Sequence, residues 1–358
     1  MTGCKFAAAA LALVLGLMTG LFGSTPANAW DRGIVNVLAV LPPVAPGVLS
    51  SVEGLTVGPD GNIYVPSFGF NTTGAVSGNA VLYVISPRGK IIRQVAIANS
   101  SPHMLGLAFN PVTNALWVLD FGAGNVLSVN PVTGASTVLN QGGAIGGSGL
   151  NALTFDKSGN GYVSDSFNGV IWKIPSAGGT PVAWSSSPLL GAGSGLTPPF
   201  GANGVEFNNE HTIMFVANTA FHQIIQIPVN PDGSAGTASI FITGINAPDG
   251  ILVDRHDNIW ICANQEDEIV VVNKAGTVIA KLGDFYGIDH HGIVQGFLFP
   301  ASLAFSPDGS TLYVSNLTLY LPYAGANPAI DSAWTLQVKG YTVSELPAFI
   351  PPIFSPGH

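Results

Sequence analysis

The chain has 358 residues, of which only 9% are charged, and acidic residues outnumber basic ones 20 to 11. That balance leaves no basic patch to neutralise phosphates and excludes nucleic acid as a partner. The 45 glycines and 26 prolines, the many β-branched residues and the lack of long helical periodicity after the N-terminal segment point to an all-β protein.

Residues 1–29 read as a signal peptide. Lys5 gives a short basic start, residues 6–22 form an apolar run, and Ala27-Asn28-Ala29 is an A-x-A cleavage site. The polar Trp30-Asp31-Arg32 that follows favours cleavage over a retained transmembrane anchor. Cys4 precedes the apolar run, where a lipoprotein cysteine would not stand. The expectation is an exported protein, secreted or periplasmic, with residues 30–358 as one domain and no integral membrane segment after cleavage. Cys262 is then the one cysteine left, so no intramolecular disulfide forms. Its place in the apolar run 259–262 makes it a packing residue.

Residues 34–40 (IVNVLAV) read as a strand that closes the fold against residues near the C-terminus, such as 334–343 (WTLQVKGYTV). Between them six segments align. They are EGLTVGPDGNIYV from Glu53, LGLAFNPVTNALWV from Leu105, NALTFDKSGNGYV from Asn151, NGVEFNNEHTIMFV from Asn203, DGILVDRHDNIWI from Asp249 and ASLAFSPDGSTLYV from Ala301. Each reads as a strand, a tight turn rich in Asn, Asp, Gly and Pro, and a second strand. Their starts are spaced by 52, 46, 52, 46 and 52 residues. A unit of that length holds four short strands, and six of them predict a six-bladed β-propeller. A sandwich has no fixed long period, and a β-helix repeats at much shorter intervals.

In a propeller the innermost strands line a central channel, so one register position makes a ring. Here that ring reads Glu53, Leu105, Asn151, Asn203, Asp249, Ala301. Glu53, Asn151, Asn203 and Asp249 offer two carboxylates and two amides. These are hard oxygen donors whose charge balances one divalent cation, and Ca²⁺ is the expected metal. Zn²⁺ would require His or Cys, and neither stands in this register. The competing account is turn chemistry, because Asn-Gly and Asp-Gly are common turn dipeptides. Asp120, Asp165, Asn218, Asn264 and Asn316 end the second strands and read as blade-to-blade hydrogen-bonding residues. The Asp-rich stretches VGPDGNIY, DRHDNIW and SPDGSTLY read as hairpin turns. His103 lies two residues before Leu105 and shares its face if the strand extends, which places it at the channel mouth. His290 and His291 are candidates for the same rim. The glycine-rich apolar connections 66–76 and 191–200 are expected to line that mouth and to favour an apolar substrate.

These motifs resemble those of the superfamily containing the senescence marker protein/gluconolactonase family and the paraoxonases. The contexts VEGLTV, LNALTF, ANGVEF and PDGILV carry the resemblance, which runs from Glu53 to about residue 314. It implies that Glu53, Asn151, Asn203 and Asp249 hold calcium or another divalent ion inside the propeller, and that the reaction is hydrolysis of lactones or esters. SPHMLGLAF is similar to the paraoxonase segment with a catalytic histidine, here His103. The paraoxonase second histidine is missing from VLDFGAG, where Asp120 is the residue placed to orient His103. Gly149-Leu150 stands where gluconolactonases tend to carry an arginine.

The function expected is a metal-dependent hydrolase of a small lactone or ester, with the cation polarising the carbonyl and His103 or Asp249 as the base that activates water. The alternative is a non-enzymatic, NHL-like binding propeller, which would need no ring of oxygens on its axis.

Overall fold

A computed structural model describes residues 32–45, 47–70, 76–147, 149–193, 200–324 and 332–350. The proposed signal peptide lies outside these residues, as do most of the C-terminal tail and parts of both mouth connections. Among the described residues no helix is long and apolar enough to cross a membrane.

Six four-stranded antiparallel sheets form the blades of the propeller. Their inner strands are Thr56–Val57, Met104–Phe109, Leu150–Phe155, Ala202–Phe207, Pro248–Val253 and Pro300–Phe305. Each leads through a tight turn to a second strand, as the repeat requires. The sixth blade is composite: Pro300–Phe305, Thr311–Asn316 and Tyr341–Pro347 take Asn36–Leu41 as their outer strand. The pairing runs from Asn36 opposite Glu345 to Leu41 opposite Tyr341. The N-terminal strand thus closes the ring and removes its edge. Its partner starts later than the sequence pattern proposed. Trp334 belongs to a short helix, Ser332–Thr335, and the strand, mostly buried on both faces, begins only after Gly340. Arg32 fastens the chain just before the closing strand. Its guanidinium donates to Glu268 at 2.7 Å and to the Gly283 carbonyl at 2.9 Å.

Two additional ribbons sit outside the blade pattern: Leu49–Ser51 with Phe68–Phe70, and Phe285–Ile288 with Val294–Gly296. Apolar clusters between neighbouring blades hold the ring together. Val52, Ile63, Val65 and Tyr83 of blade 1 meet Tyr313 and Val343 of blade 6. Cys262 is fully buried among Trp260, Ile269, Leu303 and Val314, as a packing residue should be. Each large apolar side chain so buried contributes about 1.5–3 kcal/mol.

The Asp-rich stretches form hairpin turns. Asp60 accepts from Asn62 Nδ2 at 2.7 Å and Tyr64 OH at 2.9 Å. Asp156 accepts from Asn160 Nδ2 at 2.8 Å and Tyr162 OH at 3.3 Å. Asp254 accepts from Asn258 Nδ2 at 2.8 Å and Trp260 Nε1 at 3.1 Å. Partial burial works against ionisation of each, but the hydrogen bonds outweigh it and hold all three below the usual carboxylate range.

Candidate active site

The ring position falls at an irregularity repeated around the channel. In blades 2 to 6 the inner strand shifts register against its neighbour across Leu105, Asn151, Asn203, Asp249 and Ala301. Such bulges re-aim the side chain they contain. The glycine that follows has a different role from the turn chemistry its dipeptide suggests. Gly204 and Gly250 lie inside strands, and a Cβ on either would collide with the Asp249 or Ala301 carbonyl of the next blade. Gly54 and Gly106 meet Leu105 and Asn151 in the same way. The Asn-Gly and Asp-Gly pairs therefore set how closely adjacent inner strands approach.

That approach brings Glu53, Asn151, Asn203 and Asp249 to one cavity of about 370 Å³, with Leu105 beside them. All four polar residues are buried, between 4% and 6% exposed. Ala301 is buried as well but does not line the cavity.

Two of these side chains present an oxygen with no partner. Asn203 Nδ2 donates to Thr219 Oγ1 at 2.9 Å, and Thr219 donates its own hydroxyl to the Pro248 carbonyl at 2.7 Å. A threonine hydroxyl carries one proton, which here goes to a carbonyl, so it must accept from Asn203. The amide nitrogen therefore faces Thr219, and Asn203 Oδ1 is left buried and unpaired. Asp249 Oδ2 accepts from Asn264 Nδ2 at 3.0 Å, while Oδ1 is buried without a partner. Buried polar atoms are normally satisfied, so these two oxygens at one cavity are acceptors available to a ligand.

Electrostatics bear on what that ligand is. Burial, and then the Asp249 charge, push the Glu53 carboxyl well above the usual range. Burial pushes Asp249 up to about 8, with the amides of Asn203 and Asn264 pulling the other way. A divalent cation would hold both carboxylates ionised, and two carboxylates with two amide oxygens fit Ca²⁺. Among the described residues no three His, Cys, Asp or Glu side chains cluster as metal ligands; the ring itself offers only two carboxylates and two amides, with no His or Cys in its register.

His103 lines the same cavity. Its ring packs against Phe70 at 5.0 Å and Phe68 at 5.2 Å, and its Nε2 is buried without a hydrogen-bond partner. Burial lowers its pKa from the usual value, against the Gly69 carbonyl and the Asp120 charge, so it is neutral at pH 7. Asp120 does not orient the imidazole. It accepts the Ser101 N–H at 2.8 Å, the Ser101 hydroxyl at 2.5 Å and the Ala123 N–H at 2.9 Å. It braces the backbone leading to His103, because the end of the second strand faces that loop. The His290 and His291 rings lie 3.8 Å apart at a tilt of 43° and are not among the residues lining the cavity.

Sequence reasoning missed the tier above the ring. The residue after Asp120, Asn218, Asn264 and Asn316 recurs there, since Phe121, Thr219, Gln265 and Leu317 all line the cavity, and after Asp165 it is the second residue, Phe167, that does so. Asn264 was expected to link blades. It does reach the Pro300 carbonyl, at 3.3 Å, but it also holds Asp249. Phe68, Phe70 and Phe200 of the two mouth connections line the cavity, as their position suggested, while residues 71–75 and 194–199 lie outside the described residues.

Residues 199–284 match the family model for the SMP-30/Gluconolactonase/LRE-like region. Over 86 residues the chain is 26% identical to lactonase drp35 of Staphylococcus aureus (strain bovine RF122 / ET3-1), a span of 23% of this chain and 26% of that protein. The chain thus spans about a quarter of the length of the curated relatives it matches. A calcium-binding protein, regucalcin, from Agrobacterium tumefaciens has a similar structure, with a TM-score of 0.56 at 17% identity over 87% of this chain and 95% of that one. A gluconolactonase from Xanthomonas campestris gives 0.56 at 13% identity, over 90% and 98%. The six-bladed fold is shared along nearly the whole chain. The resemblance to the senescence marker protein/gluconolactonase family is borne out, and in sequence it is concentrated on blades 4 and 5.

Proposed function

We propose that this protein is a divalent-cation-dependent hydrolase of lactones or esters. The observation that carries the reading is the pair of buried, unpartnered oxygens, Asn203 Oδ1 and Asp249 Oδ1, at a cavity that also holds Glu53 and Asn151. These four residues would hold the cation. When bound there, Ca²⁺ or a similar ion would supply Lewis-acid polarisation of the substrate carbonyl.

His103 is the base. Its neutral, unpartnered Nε2 accepts a proton from water as the water oxygen bonds to the acyl carbon. The acyl C–O bond then breaks, and the leaving oxygen takes the proton back from the imidazolium. One water is consumed and a hydroxy acid, or an acid and an alcohol, is released. Asp249 contributes as a ligand, with Oδ2 held by Asn264 so that Oδ1 stays directed to the site. Thr219 does the same for Asn203 and is a positioning residue. The lactonase name of the drp35 relatives supports the reaction class, and the calcium-binding neighbour supports the metal.

Steady-state hydrolysis of a panel of lactones and aryl esters, with metal content measured on the same sample, tests this reading. Turnover that disappears with chelator and returns with Ca²⁺ is the expected result. A metal-loaded protein that hydrolyses nothing in the panel would favour a binding propeller. Export, with cleavage after Ala29, is a separate part of the proposal and rests on the signal-like sequence of residues 1–29. N-terminal sequencing of the exported product should start at Trp30.

A further inference from the structure

Above its polar floor the cavity is built almost entirely of carbon. We propose that this upper part is a subsite for the non-reacting portion of neutral, apolar lactones and esters, and that it discriminates against polyhydroxylated and anionic ones. This inference rests on the hydrolase reading above and names its substrate class.

One wall is a run of rings in contact. Phe68 meets Phe121 at 5.6 Å, Phe121 meets Phe167 at 5.6 Å, and Phe167 stacks on Phe200 at 5.7 Å. Deep in the cavity Phe68 and Phe70 pack with Leu105 and Leu319 in one buried cluster. Within the run Phe167, between Phe121 and Phe200, is 50% exposed. An exposed phenylalanine continuous with a buried aromatic wall is accounted for if a bound apolar group covers it.

Most polar groups on the upper wall are already committed. The Thr219 hydroxyl donates to Pro248 and accepts from Asn203. Gln265 Nε2 donates to Asn264 Oδ1 at 2.5 Å. A sugar-like hydroxyl entering this space would leave water and find few free partners, a loss that sites of this kind do not tolerate. Among the described residues no lysine or arginine lines the cavity, so a substrate carboxylate or phosphate would meet no side-chain counter-charge from them. The two floor carboxylates can at most be balanced by one divalent cation, which leaves nothing over to attract an anion. A volume of about 370 Å³ suits a lactone ring with a medium alkyl chain or one aryl group.

Three δ-lactones with the same reacting group test the proposal on the full chain. kcat/KM for δ-decalactone should exceed that for unsubstituted δ-valerolactone by at least about tenfold, and glucono-δ-lactone should fall below both. In Phe121→Ser and Phe167→Ser the decalactone-to-valerolactone ratio should drop several-fold. A second measurement does not need turnover. The neutral fluorophore N-phenyl-1-naphthylamine should bind the wild-type protein, be displaced by δ-decalactone, and bind more weakly to both variants. Turnover without alkyl preference, or with glucono-δ-lactone as the best substrate, overturns the subsite and leaves the hydrolase reading standing. No turnover of any lactone, with displaceable fluorophore binding that the variants weaken, upholds the subsite and removes the hydrolase reading. A fluorophore that fails to bind, or that δ-decalactone does not displace, also overturns the subsite.

Discussion

Blades 4 and 5 and blades 1 to 3 present the same repeat to the same cavity with opposite chemistry. Just above the ring, blades 4 and 5 supply Thr219, Asn264 and Gln265, which spend their hydrogen bonds on one another, on neighbouring carbonyls and on the ring residues. At the corresponding height blades 1 to 3 supply Phe68, Phe70, Phe121 and Phe167. One side fixes the direction of two oxygens, and the other provides a wall. The family-model match, residues 199–284, covers Asn203, Asp249 and the residues that hold them, with Phe200 as the one aromatic wall residue inside it, while Glu53 and Asn151 lie outside. The slot after the second strand is therefore a neutral feature of the scaffold, and what fills it decides whether it steadies a ring side chain or adds to the aromatic wall.

The largest effect should come from the polar side. Asp249→Ala removes one of the two carboxylates available to a cation, and with it the residue that Asn264 holds in place. Lactone and ester hydrolysis should fall to background, and any rise in melting temperature on adding Ca²⁺ should vanish, with circular dichroism showing an intact fold. His103→Gln should cost less, on the order of 100-fold in kcat, with metal content unchanged. If instead His103→Gln is as inactive as Asp249→Ala while it keeps its metal, the histidine carries more of the reaction than the cation site does.

A finer test asks whether the tier above the ring acts through orientation. Thr219→Val keeps the shape but removes the acceptor that fixes the Asn203 amide. Ca²⁺ affinity, read by calorimetry, should weaken by about tenfold, and Thr219→Ser should restore it. Equal affinity in all three proteins would mean that Asn203 Oδ1 needs no such support.

The smallest effect belongs to the far turns and serves as a control on both sides of the cavity. Asp254 has a folded-state pKa below its unfolded value, so its hydrogen bonds stabilise the protein above about pH 4 and lose that contribution as pH falls through the folded pKa. Asp254→Ala should lower the melting temperature by a few degrees at pH 7, with the gap to wild type narrowing below pH 4. Neither Ca²⁺ affinity nor the preference among lactones should change.

The fold was legible because its signal is long and repeated. Turn residues recur at 46 or 52, and one register position carries Glu53, Asn151, Asn203 and Asp249 in four blades. The glycines after three of these residues were harder to interpret. In sequence they resemble turn dipeptides, whereas their reason is a neighbouring carbonyl from the next blade. Asn264 was read as one more blade linker because Asp165, Asn218 and Asn316 occupy its register and do bind loop backbone. Only the side chain it meets sets it apart, and that contact is between residues 15 apart in the chain. The wall was partly visible in the mouth connections, but Phe121 and Phe167 follow strand ends and carry no motif of their own. The helix at Trp334 was missed because its apolar residues resemble those of the strand that begins after Gly340.

The account stands on the claim that the ring holds one divalent cation. Elemental analysis of protein purified without chelator, followed by thermal melts with and without added Ca²⁺, measures that directly. The account predicts about one equivalent of a divalent metal per chain, and a melting temperature that falls on chelation and recovers with Ca²⁺. A protein with no stoichiometric metal and a melting temperature indifferent to Ca²⁺ would contradict it.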